Sequence, residues 1–258
     1  MTEPSINTIK RSGSRFYVDP RNGAKVLGVT SAINQLSKPF LQYWASKLVA
    51  EEAVNNLGAV FNLVQNENEA AAIDFLKRAP TRSSGAAAET GTVVHGLVEQ
   101  LNKGESLGLV HPDYAPWVER YHKFLDEFQP EFLEVETTAW SDTHDYAGTL
   151  DAIAKIDNQI VILDLKTGKG VYDSVALQLT AYSQADFLLD PDGTERPLPE
   201  LDGAAVLHLR PDNYDLIPVR IGDDIFEVFL ALVRLSKWDM EEKRTVLGAP
   251  ITTTDSKE

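Results

Sequence analysis

The stretch Gly148 to Lys169, GTLDAIAKIDNQIVILDLKTGK, constrains this chain more than any other segment. Ile160-Val161-Ile162-Leu163 is a short β-branched and aliphatic run, the pattern of a buried strand. Asp157-Asn158 supplies turn chemistry just before it. Residues 146–156 and 159–165 therefore read as two joined strands, with Asp151 on the first and Asp164 and Lys166 at the end of the second. Burying one charge without a partner costs several kcal/mol, so charges at the ends of apolar strands usually hold a ligand or serve a task. Asp164 and Lys166 are two apart on an extended chain, which turns both side chains to one face. Asp151 reaches that face if the register permits. Two carboxylates and the backbone carbonyl of Leu165 make a hard, oxygen-only half-shell suited to Mg²⁺ or Mn²⁺. Lys166 beside it would orient or deprotonate a water, or neutralise charge developing on a phosphate. Taken alone, Asp-Leu-Lys is more often an ordinary ion pair at a strand end.

The rest of the composition narrows the setting. A chain of 258 residues, 43% hydrophobic, suits one large domain or a core with an appended lobe. No window approaches ~18 unbroken apolar residues, so no membrane span is expected. The first residues lack the apolar core of a signal peptide, and a soluble cytoplasmic protein is the expectation. With no cysteine, disulfides, thiolate zinc sites and cysteine-ligated iron–sulfur clusters are excluded. The net charge of -15 argues mildly against nucleic acid, because phosphate contacts need Lys and Arg. The charge is uneven, however: residues 1–82 carry +3 and residues 83–258 carry −18. An acidic body with a mildly basic N-terminal part stays compatible with DNA, since local fields matter more than the total.

Residues 1–14 are polar and expected to be loose. Arg15–Val18 and Ala24–Val29 read as a hairpin around Pro20 and Asn22-Gly23. Thr30 or Ser31 is expected to cap a short helix through Leu36, and Ser37 a longer one. In the longer helix Leu41, Trp44, Ala45, Leu48, Val49 and Ala53 share a face, which predicts core packing for Trp44. Helix continues through 59–78, followed by a polar loop at Thr81–Gly85, a candidate lid or DNA-facing segment. Further helices are expected over 89–102, where His95 and Glu99 lie one turn apart, and over 113–128. Strands at 132–140, 146–156 and 159–165 precede a helix at 171–189 and a surface loop at 190–203. Strands at 204–209 and 214–221 and a closing helix over 223–244 complete the chain. The order predicts an α/β fold with one central mixed sheet flanked by helices. The division is residues 1–88 as an N-terminal hairpin and helical lobe, 89–246 as the core, and 247–258 as a disordered tail.

Read together, Gly148-Thr149-Leu150-Asp151, then Asp164-Leu165-Lys166-Thr167-Gly168-Lys169, then Gln178-Leu179-Thr180-Ala181-Tyr182 resemble the PD-(D/E)xK nuclease superfamily. More narrowly they resemble its RecB-type branch, which includes phage exonucleases and CRISPR-associated RecB-like nucleases. Gly91-Thr92-Val93-Val94-His95 is similar to the upstream histidine motif of that branch, so the ordered likeness covers about residues 91–182. A weaker likeness to phage members covers Gly28 to Ala45.

The resemblance implies a restriction-endonuclease-like core and a divalent-metal-dependent deoxyribonuclease. An exonuclease of phage type, acting in recombination, replication or DNA degradation, is the closest fit. His95, Asp151 and Asp164 would hold one or two Mg²⁺ or Mn²⁺ ions with the Leu165 carbonyl. Lys166 would be the catalytic lysine, acting with Asp151 and Asp164 in attack of a metal-activated water on a phosphodiester. Gln178 and Tyr182 would support the site and contact DNA. Glu136, on the preceding strand, is a further acid that some members bring close to the metals. Asp164 stands where Glu is commoner, and the missing cysteines place the chain with cluster-free members. DNA is the expected partner, with a second copy or a recombination protein as others.

A non-catalytic DNA-binding or recombination module that keeps the fold is the alternative reading. A protein-interaction or capsid-associated factor is a third, and it leaves the charged strand ends unexplained. His111, His122, His144 and His208 show no metal spacing and read as structural or surface residues. No serine sits in a nucleophile elbow, and Thr167-Gly168-Lys169 lacks the glycine spacing of a phosphate loop.

Overall fold

The computed structural model describes residues 4–66 and 68–251. Its strands are β1 (Thr8–Arg11), β2 (Ser14–Val18), β3 (Lys25–Gly28), β4 (Glu131–Ser141), β5 (Tyr146–Ile156), β6 (Gln159–Lys166), β7 (Phe187–Leu189), β8 (Glu195–Arg196), β9 (Gly203–Leu209) and β10 (Tyr214–Val219). Its helices are α1 (Val29–Ile33), α2 (Phe40–Asn55), α3 (Leu57–Gln65), α4 (Glu69–Lys77), α5 (Ala79–Asn102), α6 (Ala115–Phe128), α7 (Ser174–Ser183) and α8 (Asp223–Met240). The ten strands form one mixed sheet. Most neighbours are antiparallel, while β3 runs parallel to β5, and β6 parallel to β9. The α/β expectation, with a mixed sheet between helices, is met.

Two apolar layers cover the sheet. On one face Leu150, Ile153, Ile162 and Val206 pack with Val29 and Ala32 of α1, Val175 and Leu179 of α7, and Phe229 and Leu232 of α8. On the other, Ala152, Ala154, Leu163, Leu165 and Leu207 meet Val94 and Val98 of α5 and Tyr121 and Phe124 of α6. Each large side chain so buried contributes about 1.5–3 kcal/mol. Arg21 fastens the hairpin turn to this frame. Its guanidinium meets Asp19 and Asp142 at 2.8 Å, pairs with Glu195 and lies 5.0 Å over the Phe187 ring.

The feature that creates a site is a fork in the sheet. One edge of β5 pairs with β3 at Tyr146 and Ala147, and with β6 from Ala152 to Ile156. Between those rungs, residues 148–151 pair with no strand on that side among the described residues. The β5–β6 ladder ends at the pair Ala152 and Leu163, so Asp151 and Asp164 are the next residues on the two diverging strands. Asp164, Leu165 and Lys166 continue instead along β9.

Several expectations are corrected. Thr8–Arg11 is a strand paired with β2 rather than loose polar chain. The short helix ends at Ile33, and α1 and α2 have no side-chain cap; Ser31 accepts the Arg15 N–H at 2.8 Å instead. The apolar face of α2 is not core: the helix has no buried residue, and Trp44 is 37% exposed. Helix breaks at Asn56 and between α3 and α4, and it resumes at Ala79 with Pro80 in the first turn, where its missing N–H costs nothing. The Thr81–Gly85 segment is therefore helical, not a loop. The boundary at 88/89 falls inside α5, and the hairpin belongs to the central sheet. The helix expected over 171–189 stops at Ser183, and Phe187–Leu189 is a strand on β4. Residues 190–203 include β8, and α8 ends at Met240. Of the tail expected at 247–258, residues 252–258 lie outside the described residues. Among the described residues no helix is long and apolar enough to cross a membrane.

Candidate active site

The fork opens into a cleft of about 450 Å³ lined by residues from β2, α1, α5, β4, β5, β6 and α7. His95, Asp151, Asp164, Lys166, Gln178, Tyr182, Leu165 and Glu136 all line it. Every candidate site residue named by the resemblance thus reaches one cavity, carried there by five different elements.

The arrangement has two halves. On the α5 side, ligand atoms of His95, Glu136 and Asp151 all lie within 4.8 Å of one another. Leu150 and Ile153, three apart, both join the first core, so the pleat slips at Asp151 and Ala152 and delivers the Asp151 carboxylate toward α5. Val135 pairs with Ala152 and Thr137 with Leu150, which sets Glu136 directly across from Asp151. Glu136 has φ +52°, a left-handed backbone inside a strand. Such a conformation costs about 1–3 kcal/mol in a non-glycine residue and clusters at functional positions. His95 Nδ1 stands 3.8 Å from Asp151 Oδ2. That same Asp151 oxygen accepts the Leu165 N–H at 2.7 Å, the donor released where β6 leaves β5.

On the α7 side, Asp164 is held by its neighbours. Gln178 Nε2 donates to Oδ1 at 2.9 Å, and the Lys166 ammonium lies 2.5 Å from Oδ2. Gln178 Oε1 accepts from Lys166 at 3.5 Å, and its Nε2 also reaches the Tyr182 hydroxyl at 3.4 Å. The sequence expectation grouped Asp164 with His95 and Asp151. The structure instead places Glu136 in that cluster and turns Asp164 to Lys166 and Gln178.

Burial sets the charges. It pushes the His95 imidazole down to about 4, against the pull of Asp164, so the ring is neutral near pH 7 and its nitrogens are free of an added proton. Burial raises Asp151, opposed by Lys166 and the Leu165 N–H. It raises Asp164 to about 6, again opposed by Lys166. For Lys166, burial works against the ammonium, but Asp164 and Asp151 outweigh it and the net direction is up. Lys166 is therefore a cation at neutral pH in this arrangement. Neutral imidazole with two carboxylates is a donor set that fits Mg²⁺ or Mn²⁺.

Close packing holds the two halves together. A Cβ on Gly148 would stand 2.5 Å from Tyr182 Cε1 and 3.0 Å from Val29 Cγ2, so only glycine lets the ring lie across β5 here. Tyr17 occupies the empty edge of the fork: its hydroxyl accepts the Thr149 N–H at 3.0 Å and meets Thr149 Oγ1 at 3.1 Å. His208, read from the sequence as a structural or surface residue, is buried on β9, and its Nε2 donates to the Gly168 carbonyl at 2.8 Å. This pins the segment after Lys166 at the cleft wall. Tyr17 and His208 carry no motif; only the strand pairing brings them here. Glu99 does not line this cleft; it pairs with Lys103 at 2.6 Å and borders a smaller adjoining pocket shared with His95, Glu136 and Asp151.

No protein-family model matches this chain, and no curated protein matches it in sequence.

Proposed function

We propose that this chain is a divalent-metal-dependent deoxyribonuclease with a restriction-endonuclease-like core. The observation that carries the reading is the convergence of His95, Glu136 and Asp151 within 4.8 Å, beside the Asp164–Lys166 pair, at a fork in a mixed sheet. A group of buried charges with raised carboxylates in a cleft marks a site with a task. The donor set suits a hard cation, which would supply Lewis-acid polarisation of a phosphoryl oxygen and a more acidic water.

The chain's own residues divide the remaining work. His95, Glu136 and Asp151 hold the cation. Lys166, kept protonated by Asp164, places positive charge where a phosphoryl oxygen becomes more negative. Gln178 fixes Asp164, and through it the ammonium. Tyr182 and Gly148 close the floor of the cleft.

DNA is compatible with the acidic total because the hairpin edge is locally basic. Lys10, Arg11, Arg15 and Lys25 lie on β1–β3, and none forms an ion pair among the described residues. Arg15 itself lines the cleft. Such a local field attracts phosphates whatever the net charge.

The test is incubation of the full chain with linear and closed circular DNA in Mg²⁺ or Mn²⁺. Cleavage of the linear form alone is the exonuclease outcome; cutting of both is the endonuclease outcome. Cleavage that survives Asp151→Asn and Lys166→Ala overturns the site. Mn²⁺ binding without any turnover favours a non-catalytic DNA-binding module.

A further inference from the structure

The first turns of α2 present rings to solvent. Phe40, Tyr43 and Trp44 stand at i, i+3 and i+4, which puts them on one helix face. They are 48%, 78% and 37% exposed, and Tyr172, 60% exposed, joins them from another part of the chain. Phe40 and Tyr172 are stacked, with ring centroids 5.7 Å apart and planes 15° from parallel. An exposed parallel ring pair gains little from burial, so the fold does not need it for stability.

Its position ties it to the cleft. Tyr172 follows Thr167 and Gly168, which line the cavity wall just beyond Lys166. The helix α2 packs along α5, whose Ala87, Ala88, Gly91 and Thr92 also line the cavity, Gly91 lying directly against Thr167. The rings therefore belong to segments that join or pack on the two adjoining stretches lining this part of the cavity. Lys38 lies two residues before Phe40, and exposed Lys169 three before Tyr172, so each ring of the stacked pair has a cation close by in the chain.

We propose that this aromatic face is a stacking platform for unpaired bases of a single-stranded DNA segment whose backbone enters the cleft. The choice of DNA as occupant rests on the nuclease reading; the choice of an unpaired strand rests on the rings. Every base has a flat π-face that stacks on an aromatic side chain, with lysines taking the phosphates. In a duplex those faces are hidden except at the end. The platform thus separates unpaired from paired DNA without reading sequence.

The experiment uses the full chain in EDTA at fixed low salt, where binding is measured without cleavage. Fluorescence anisotropy compares a labelled oligo(dT) with a blunt duplex of the same length. The expected result is tighter binding of oligo(dT), weakened about tenfold or more by the double variant Tyr43→Leu, Trp44→Leu with unchanged duplex affinity. Tyr43→Phe with Trp44→Phe keeps the rings and should retain the preference. All four positions are exposed, and matching thermal unfolding curves establish that the variants fold. Unchanged oligo(dT) affinity in the leucine variant overturns the platform. So does a change in solution mass showing that this face joins two copies of the chain. Because no metal is present, failure of the platform leaves the cleavage test untouched, and failure of cleavage leaves this measurement intact.

Discussion

Gln178 Nε2 donates to Asp164 Oδ1 at 2.9 Å, and through this bond α7 is tied to the end of β6. Asp164 is almost fully buried, so its oxygen has no water to replace that donor. Gln178→Ala should leave a buried acceptor unmet, costing about 1–3 kcal/mol. Lys166 also loses a neighbour, and loss of such a supporting contact typically lowers activity about 10- to 100-fold. Denaturant unfolding and Mg²⁺-dependent cleavage rates read the two effects separately. Wild-type stability and rate in the alanine variant would remove Gln178 from the site.

Gly148 and Tyr182 make a second coupled pair. A methyl at residue 148 meets Tyr182 Cε1 at 2.5 Å, a contact that must be relieved by moving the ring or the strand. Gly148→Ala should destabilise by roughly 1–3 kcal/mol, the usual range for overpacking. Tyr182→Leu frees that space, so the double variant should lose less than the sum of the two single changes. A thermal-unfolding cycle on the four proteins checks this. Strict additivity would show that the ring does not press on Gly148.

The pair of strands that carries Asp151, Asp164 and Lys166 was legible because the apolar run, the turn and the charges fall within 22 residues. Local pattern suffices there. His95, Gln178 and Tyr182 were legible only through motif order, since nothing in their own helices distinguishes a ligand from a packed polar residue. Glu136 is only a further acid in the sequence, because its place in the cluster depends on facing Asp151 across β4 and β5 and on a left-handed backbone, neither of which is a sequence pattern. The face of α2 misled for the opposite reason. Helical spacing of Leu41, Trp44 and Leu48 reports that apolar groups share a side; it does not report that a core exists to receive them. Phe187-Leu188-Leu189 extended a helical pattern, yet two of its residues are fully buried against β4, and pairing there outweighs helix propensity.

His95 gives a pH prediction with a definite sign. Its value falls from 6.5 in the unfolded chain to about 4 in the fold. A depressed base contributes stability that is complete above the unfolded value and lost as pH drops through 6.5 toward 4. Asp164 runs the other way, with 3.8 raised to about 6, so its contribution is present at low pH and lost as pH rises through 6. The two oppose each other over the same interval. His95→Gln removes only the first, so relative to wild type the metal-free variant should gain stability between pH 7 and pH 5. Urea unfolding at both values, with EDTA present, reads the difference. A variant that loses as much stability as wild type, or more, between pH 7 and pH 5 would refute the buried neutral imidazole.

Glu136 provides the sharpest separation between two ligand sets. If His95, Glu136 and Asp151 hold the cation, Glu136→Gln removes one of three donors and its charge while keeping the volume of the side chain. Asp164→Asn removes a carboxylate whose two oxygens are engaged by Gln178 and Lys166. Mn²⁺ affinity measured by calorimetry should therefore fall by tenfold or more in Glu136→Gln, the scale on which metal-site contacts act. It should fall less in Asp164→Asn, although cleavage should suffer in both because Lys166 loses its anchor in the second. Circular dichroism establishes that each variant is folded before titration. The reverse order, with Asp164→Asn the weaker binder, would mean that the cation pulls Asp164 away from Lys166 when it binds. The ligand set would then be the one the motif order implies, and the Lys166 ion pair a feature of the metal-free state.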